Sequence, residues 1–177
     1  MVNEFFDAIA GQFRVVCGTP MTPFFMNLLV FFLAGAGSLV VGGLFLNNLP
    51  MHDPPGFGER LKTYLTANVA ETVHNHRFPE LELRCYTLPP KPLFTRVEHA
   101  VMALGWEILE IDPERYFLHA VVLTPLLKFK DDVEVQLTST PRGTELHIRS
   151  RSRVGKADLG ANTRHILDLL SALERQV

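Results

Sequence analysis

The chain has 177 residues, a formal net charge of −2, a hydrophobic share of 47% and only two cysteines. With an apolar stretch near the front, that length leaves room for one soluble domain of roughly 100 residues. Two cysteines exclude a disulfide framework and a CxxC metal site, and the near-neutral charge excludes a nucleic-acid surface spread along the chain. Positive charge is local: Arg142 to Lys156 carries five basic residues against Glu145 alone, leaving −6 over the remainder.

Residues 1–20 place Val2, Phe5, Phe6, Ile9, Phe13 and Val16 at near-helical spacing, with Asn3 as a candidate N-cap. This predicts an interfacial amphipathic helix lying on a bilayer surface. Residues 21–48 predict a transmembrane helix. No charge occurs from Cys17 to Met51, and in Leu28 to Leu46 the only polar side chain is Ser38; 19 residues at about 1.5 Å rise cover close to 30 Å of hydrocarbon. Thr22-Pro23 suits its N-cap and first turn, and Asn47, Asn48 and Pro50 its exit. Ala34, Ser38 and Gly42 recur every four residues and form a candidate helix-packing face for another membrane subunit. Arg14 flanks one end and Arg60 and Lys62 the other, so charge asymmetry orients the helix only slightly toward a cytoplasmic C-terminal domain in the cell (inner) membrane.

Residues 49–79 predict a linker rich in Pro and Gly, then a short amphipathic helix marked by Leu61, Leu65, Val69 and Val73 and ending near His74. His74 and His76, two apart, match no metal-ligand spacing. The α+β domain is expected over 80–177. Leu81, Leu83 and Cys85 alternate with charged residues as a strand. Pro92 opens a helix with Leu93, Val97, Ala100, Val101 and Leu104 inward, closed by Gly105. Trp106 to Ile111 and Tyr116 to Leu123 are strands around an Asp112-Pro113 turn.

The densest polar pattern follows. From Leu127 to Leu137 odd positions are apolar except Asp131, and even positions are polar. A loop at Ser139 to Gly143 returns the chain, with Leu146, Ile148, Ser150 and Ser152 on one face and His147, Arg149, Arg151 and Arg153 on the other. Pairing Val135 with Leu146 sets Val133 against Ile148, Asp131 against Ser150 and Asp132 against Arg149. A last helix beginning near Asp158 carries Ile166, Leu169, Leu170 and Leu173 inward, and its stripe extends back to Asn162 and Leu159.

Asp131, Ser150, Ser152 and Asn162 therefore converge on the core side. A core carboxylate needs hydrogen bonds, and the expected donors are the serine hydroxyls and loop amides, making the cluster a latch between hairpin and helix. The sharper alternative is a ligand pocket in which Asp131 and Asn162 bind while Arg149, Arg151, Arg153 and Lys156 attract an anion. No nucleophile with an adjacent base can be assembled, His165 falling on the flank of the last helix. A hydrolase using Asp131 as acid or base would require an open cleft around it. Gly155-Lys156 lacks the upstream glycine and following Ser/Thr of a phosphate loop.

The segments PLLKFKDDVEVQL and LHIRSRSRVGKADLGANTRHI resemble domain-of-unknown-function family 1499 over about Leu93 to Leu173. Phe129, Asp131, Asp132, Arg149, Ser150, Ser152, Arg153, Gly155, Asp158, Gly160 and Asn162 carry the resemblance. Family members commonly have Pro-Asn-Cys-Val-Ser-Ser ahead of the helix, where this chain has Leu83 to Thr87. The resemblance implies domain boundaries and no activity.

The expected fold is α+β: an N-terminal single transmembrane helix, then a small antiparallel sheet of about five strands, β-α-β-β-β-β-α, with two helices on one face. The expected function is a membrane-anchored, non-enzymatic accessory or assembly subunit of a larger membrane protein complex, its partners being other subunits and the lipid bilayer. The alternative is a binding domain for an anionic small molecule or lipid headgroup at the membrane surface. Neither reading uses a cofactor, metal or nucleic acid.

Overall fold

A computed structural model describes residues 23–124 and 128–176. The expected interfacial helix, Cys17, Thr22 and Leu127 lie outside the described residues. The chain divides into two units, Met1–Gly42 and Gly43–Val177.

The described residues of the first unit all belong to α1 (Pro23–Leu46), a helix of 24 residues that is long and apolar enough to cross a membrane and whose last four residues fall in the second unit. Most of its large side chains are exposed, Phe31, Phe32 and Phe45 among them. Ala34 and Ser38 are exposed, and the Ser38 hydroxyl donates to the Ala34 carbonyl at 2.9 Å, so the one hydroxyl on the stripe is satisfied within the helix. A methyl group at Gly42 would meet nothing within 4 Å.

The second unit is α+β. After α2 (Phe57–Thr66) come β1 (Val69–Glu71), a 3₁₀ turn (Pro79–Leu81), β2 (Arg84–Tyr86), α3 (Pro90–Ala103), β3 (Glu107–Asp112), β4 (Phe117–Leu123), β5 (Lys130–Thr140), β6 (Gly143–Ser152) and α4 (Ala161–Glu174). The sheet is antiparallel with six strands, ordered β1-β6-β5-β4-β3, with β2 also pairing β6. The order from β2 to α4 is the expected β-α-β-β-β-β-α.

Alternation explains the core. Val133, Val135 and Leu137 of β5, Leu146 and Ile148 of β6, and Leu118, Ala120 and Val122 of β4 are buried on one face. There α3 contributes Leu93, Phe94, Val97, Ala100 and Val101, and α4 contributes Ile166, Leu169, Leu170 and Leu173. Gly105, at φ 70°, ends the α3 segment as the left-handed residue expected there.

Four expectations need correction. The segment read as one helix through Val73 stops at Thr66, and Val69 enters β1 against Arg151; a repeat of four also fits alternating strand positions, so the pattern did not discriminate. Residues 49–79 are accordingly part of the folded unit: Arg60 is 0% exposed, its guanidinium paired to Glu80 at 2.5 and 3.0 Å and donating to the Asp53 and Pro54 carbonyls at 2.9 and 2.6 Å. Over Leu81 to Cys85, a 3₁₀ turn ends at Leu81 and strand β2 begins only at Arg84, with Cys85 exposed. The β5–β6 hairpin turns on Pro141-Arg142 alone, with Thr140 opposite Gly143, so Val135 faces Ile148 and Val133 faces Ser150. That is a slip of two residues, which leaves every side chain on its expected face.

Candidate functional site

Asp131 and Ser152 face each other across β5 and β6, and Ser150 is opposite Val133. Above them runs the first turn of α4. The chain enters it through Leu159 and Gly160, both left-handed at φ 54° and 83°. At φ 83° Gly160 holds a conformation that a side chain would strain, so glycine is favoured there by torsion. Asp158 then caps the helix: its carboxylate accepts from the Gly160 and Asn162 amides at 2.9 and 3.0 Å. Burial pushes the Asp158 carboxyl above the usual carboxylate range, and these amides work against that shift. The helix starts at Ala161, three residues after the expected start, because Asp158 serves as cap rather than first turn.

This cap aims Asn162 at the sheet. Its carbonyl oxygen accepts from the Ser150 hydroxyl at 2.6 Å, and its amide nitrogen donates to Ser152 Oγ at 3.1 Å and to the Asn68 carbonyl at 2.9 Å. The Asn68 carbonyl also accepts from the Ser152 amide at 3.1 Å. Ser150 and Asn162 are 0% exposed. One side chain thus joins α4, β6 and the residue before β1.

Asp131, also 0% exposed, is inward as expected, but its partner differs. The serine hydroxyls are turned to Asn162, and Asp131 Oδ2 lies 3.0 Å from His165 Nε2. His165 is buried and sits edge-on to Trp106, ring centroids 6.1 Å apart. Nothing donates to Asp131 Oδ1 among the described residues. Sequence reasoning missed His165 by placing it on the helix flank. It lies three residues after Asn162 and four before Leu169, which puts it on the inward stripe.

On the opposite face the basic ladder is largely neutralised. Arg153 donates to Asp132 through Nε at 2.9 Å and Nη2 at 2.6 Å, and His119 Nε2 lies 2.8 Å from the same carboxylate. Chiefly through the Arg153 bonds, Asp132 is lowered to about 2. Arg149, expected to meet Asp132, instead reaches Glu134 at 3.4 Å and Glu71 at 4.0 Å, as the two-residue slip requires. Arg151 and Lys156 are exposed and make no ion pair among the described residues.

Chemically, the inner cluster is a buried carboxylate–imidazole pair beside a hydrogen-bonded Ser-Asn-Ser network. Neither serine bonds the imidazole, so no hydroxyl in the cluster is activated by a base. The four inward residues converge, whereas the four cations do not form one site: Arg149 and Arg153 are committed to carboxylates. Of the residues that carried the family resemblance, Asp131, Ser150, Ser152, Asp158, Gly160 and Asn162 all belong to this junction of hairpin and helix, and Asp132 and Arg153 pair behind it.

No curated protein matches the chain at a significant level. Among solved structures, the crystal structure of Ara h 8.0201 shares 13% identity at TM-score 0.42, over 61% of this chain and 95% of that one. Protein MLL2253 from Mesorhizobium loti shares 17% identity at TM-score 0.39, over 62% of this chain and 98% of that one. These likenesses carry no functional argument. A model of a family described as protein of unknown function, DUF1499, matches residues 52–173, well over half of the sequence, and the chain belongs to that family.

Proposed function

We propose that this chain is a membrane-anchored, non-enzymatic accessory or assembly subunit of a larger membrane protein complex, held in the cell (inner) membrane with its folded unit on the cytoplasmic side. The observation that carries the reading is α1: 24 residues without a charge, with no part of its membrane-length window buried in the protein. An apolar surface of that length needs lipid or other helices around it. Ala34, Ser38 and Gly42 supply a narrow face for a partner helix, because small side chains permit close backbone approach. The inward cluster supports the non-enzymatic part, its buried polar atoms being joined mainly to one another.

The test is a photoreactive residue at Ser38 in the full chain, irradiated in intact membranes, followed by native-detergent purification. The expected result is cross-links to other membrane polypeptides, with the same polypeptides co-purifying. A monomer with no cross-linked partner would overturn it.

A further inference from the structure

We infer that His74, Glu145 and His147 form a binding site for a divalent transition-metal ion of the zinc type, with the Cys85 thiol placed to supply a fourth ligand. All of these residues belong to the second unit, so the site is independent of how the chain is anchored. Glu145 and His147 are two apart on β6 and therefore share its outer face. Cys85 of β2 is the cross-strand partner of Glu145, which puts the thiol on that face as well. His74 arrives from β1, which runs antiparallel to β6 with Glu71 opposite Arg149. The turn that carries it is fixed by backbone bonds. The Val73 amide donates to the Leu81 carbonyl at 3.3 Å, and the Glu82 carboxylate accepts from the Asn75 and His76 amides at 3.0 and 2.9 Å.

The separations at Glu145 suit shared metal ligands better than hydrogen bonds. His74 Nε2 lies 3.4 Å from Glu145 Oε1, and His147 Nε2 lies 3.6 Å from Oε2. Both are longer than an ordinary hydrogen bond, whereas two donors held by one tetrahedral zinc at ~2.0–2.1 Å stand about 3.3 Å apart. Glu145 is only 9% exposed, yet neither its carboxylate nor the two imidazoles have a hydrogen-bond partner among the described residues. A carboxylate so buried is costly until something binds it. The Arg142 guanidinium, 3.9 Å away, competes for it, but that side chain is 80% exposed, and an open pair of this kind holds weakly. The Cys85 thiol has one weak contact, 3.7 Å from the Arg142 carbonyl. Among the described residues no three such side chains already surround one point. The ion must therefore draw them in, and the imidazoles, 53% and 41% exposed, are free to turn. Two imidazoles, a carboxylate and a thiolate select zinc over magnesium or calcium, the thiol releasing its proton to water on binding.

The test uses the full chain in detergent, free of any histidine tag and with Cys17 replaced by Ser, titrated with Zn²⁺ and with Co²⁺ as its spectroscopic stand-in. Calorimetry should show one Zn²⁺ bound per chain. Co²⁺ should give the visible bands of a tetrahedral ion and a sulfur-to-metal charge-transfer band in the near ultraviolet, which Cys85→Ser removes. His74→Ala and His147→Ala should each weaken binding by at least the roughly ten-fold that losing even an outer-shell partner costs. His99→Ala, at an exposed position on α3, should leave it unchanged. Because both substituted imidazoles are exposed, the metal-free variants should keep the urea midpoint of the parent chain. Absence of stoichiometric binding, or binding that survives both histidine variants, would overturn the site. A cobalt spectrum without the charge-transfer band would overturn Cys85 as the fourth ligand.

Discussion

The two faces of the β5–β6 hairpin use the same kinds of residue to opposite ends. Inward, Asp131, Ser150 and Ser152 meet His165 and Asn162 where water is excluded, and all but one buried oxygen in the cluster has a partner. Outward, Asp132 and Glu134 meet Arg153 and Arg149 at a face open to water. A buried polar group that loses its partner keeps its full desolvation cost, whereas an exposed one recovers water. Polar density alone therefore does not mark a binding site. The inner face holds α4 on the sheet, and the outer face mostly balances its own charge.

The sharpest way to break this contrast is to remove one member of the inner pair. His165→Ala leaves the Asp131 carboxylate buried without a donor, and the loss should be about 3–5 kcal/mol. Trp106, the only tryptophan, packs against His165, so its fluorescence reports urea unfolding of the detergent-solubilised chain. The double variant Asp131→Leu with His165→Leu should recover most of that loss, since apolar replacements remove the unmet polar group. A double variant as weak as the single one would show that the pair stabilises the fold in its own right. Asn162→Ala comes next, at about 2–3 kcal/mol, because it strands the Ser150 hydroxyl and removes a bond from the Asn68 carbonyl. A loss under about 0.5 kcal/mol would place Asn162 among ordinary surface substitutions and end its role as the joint.

The inner face was legible in the sequence because strand alternation depends only on parity. Asp131 could be placed inside without knowing its partner, and a register wrong by two left it there. The register itself depended on the turn: five residues from Ser139 to Gly143 look like loop, yet Thr140 and Gly143 pair and only Pro141 and Arg142 turn. His165 was hidden by its neighbours, the hydrophobic stripe drawing attention to Ile166 and Leu169 although His165 lies one turn before Leu169. Arg60 gave no local signal at all. A cation just after a Pro-Gly stretch reads as solvated, and its burial depends on Glu80 and on the 4.6 Å approach of Phe78, contacts fixed only by tertiary structure. The outer pairs were misassigned for one reason: each arginine sits two positions from where the wrong register put it.

The smallest expected effects are on the outer face, and they test the contrast from its weak side. Asp132 is lowered from 3.8 to about 2, so its ionised form stabilises the fold above pH 3.8, and that contribution is lost as pH falls from 3.8 toward 2. Solvent screening at this half-open site reduces the stabilisation to about 1 kcal/mol. Asp132→Asn should therefore cost about that much at pH 7 and flatten the acid limb of the stability curve, as read by urea midpoints between pH 2 and 5. Arg151→Gln removes a cation with no carboxylate partner among the described residues, and should shift stability by less than about 0.5 kcal/mol. If Arg151→Gln instead matched Asp132→Asn in size, the outer face would be a coupled charge network rather than a set of separate pairs.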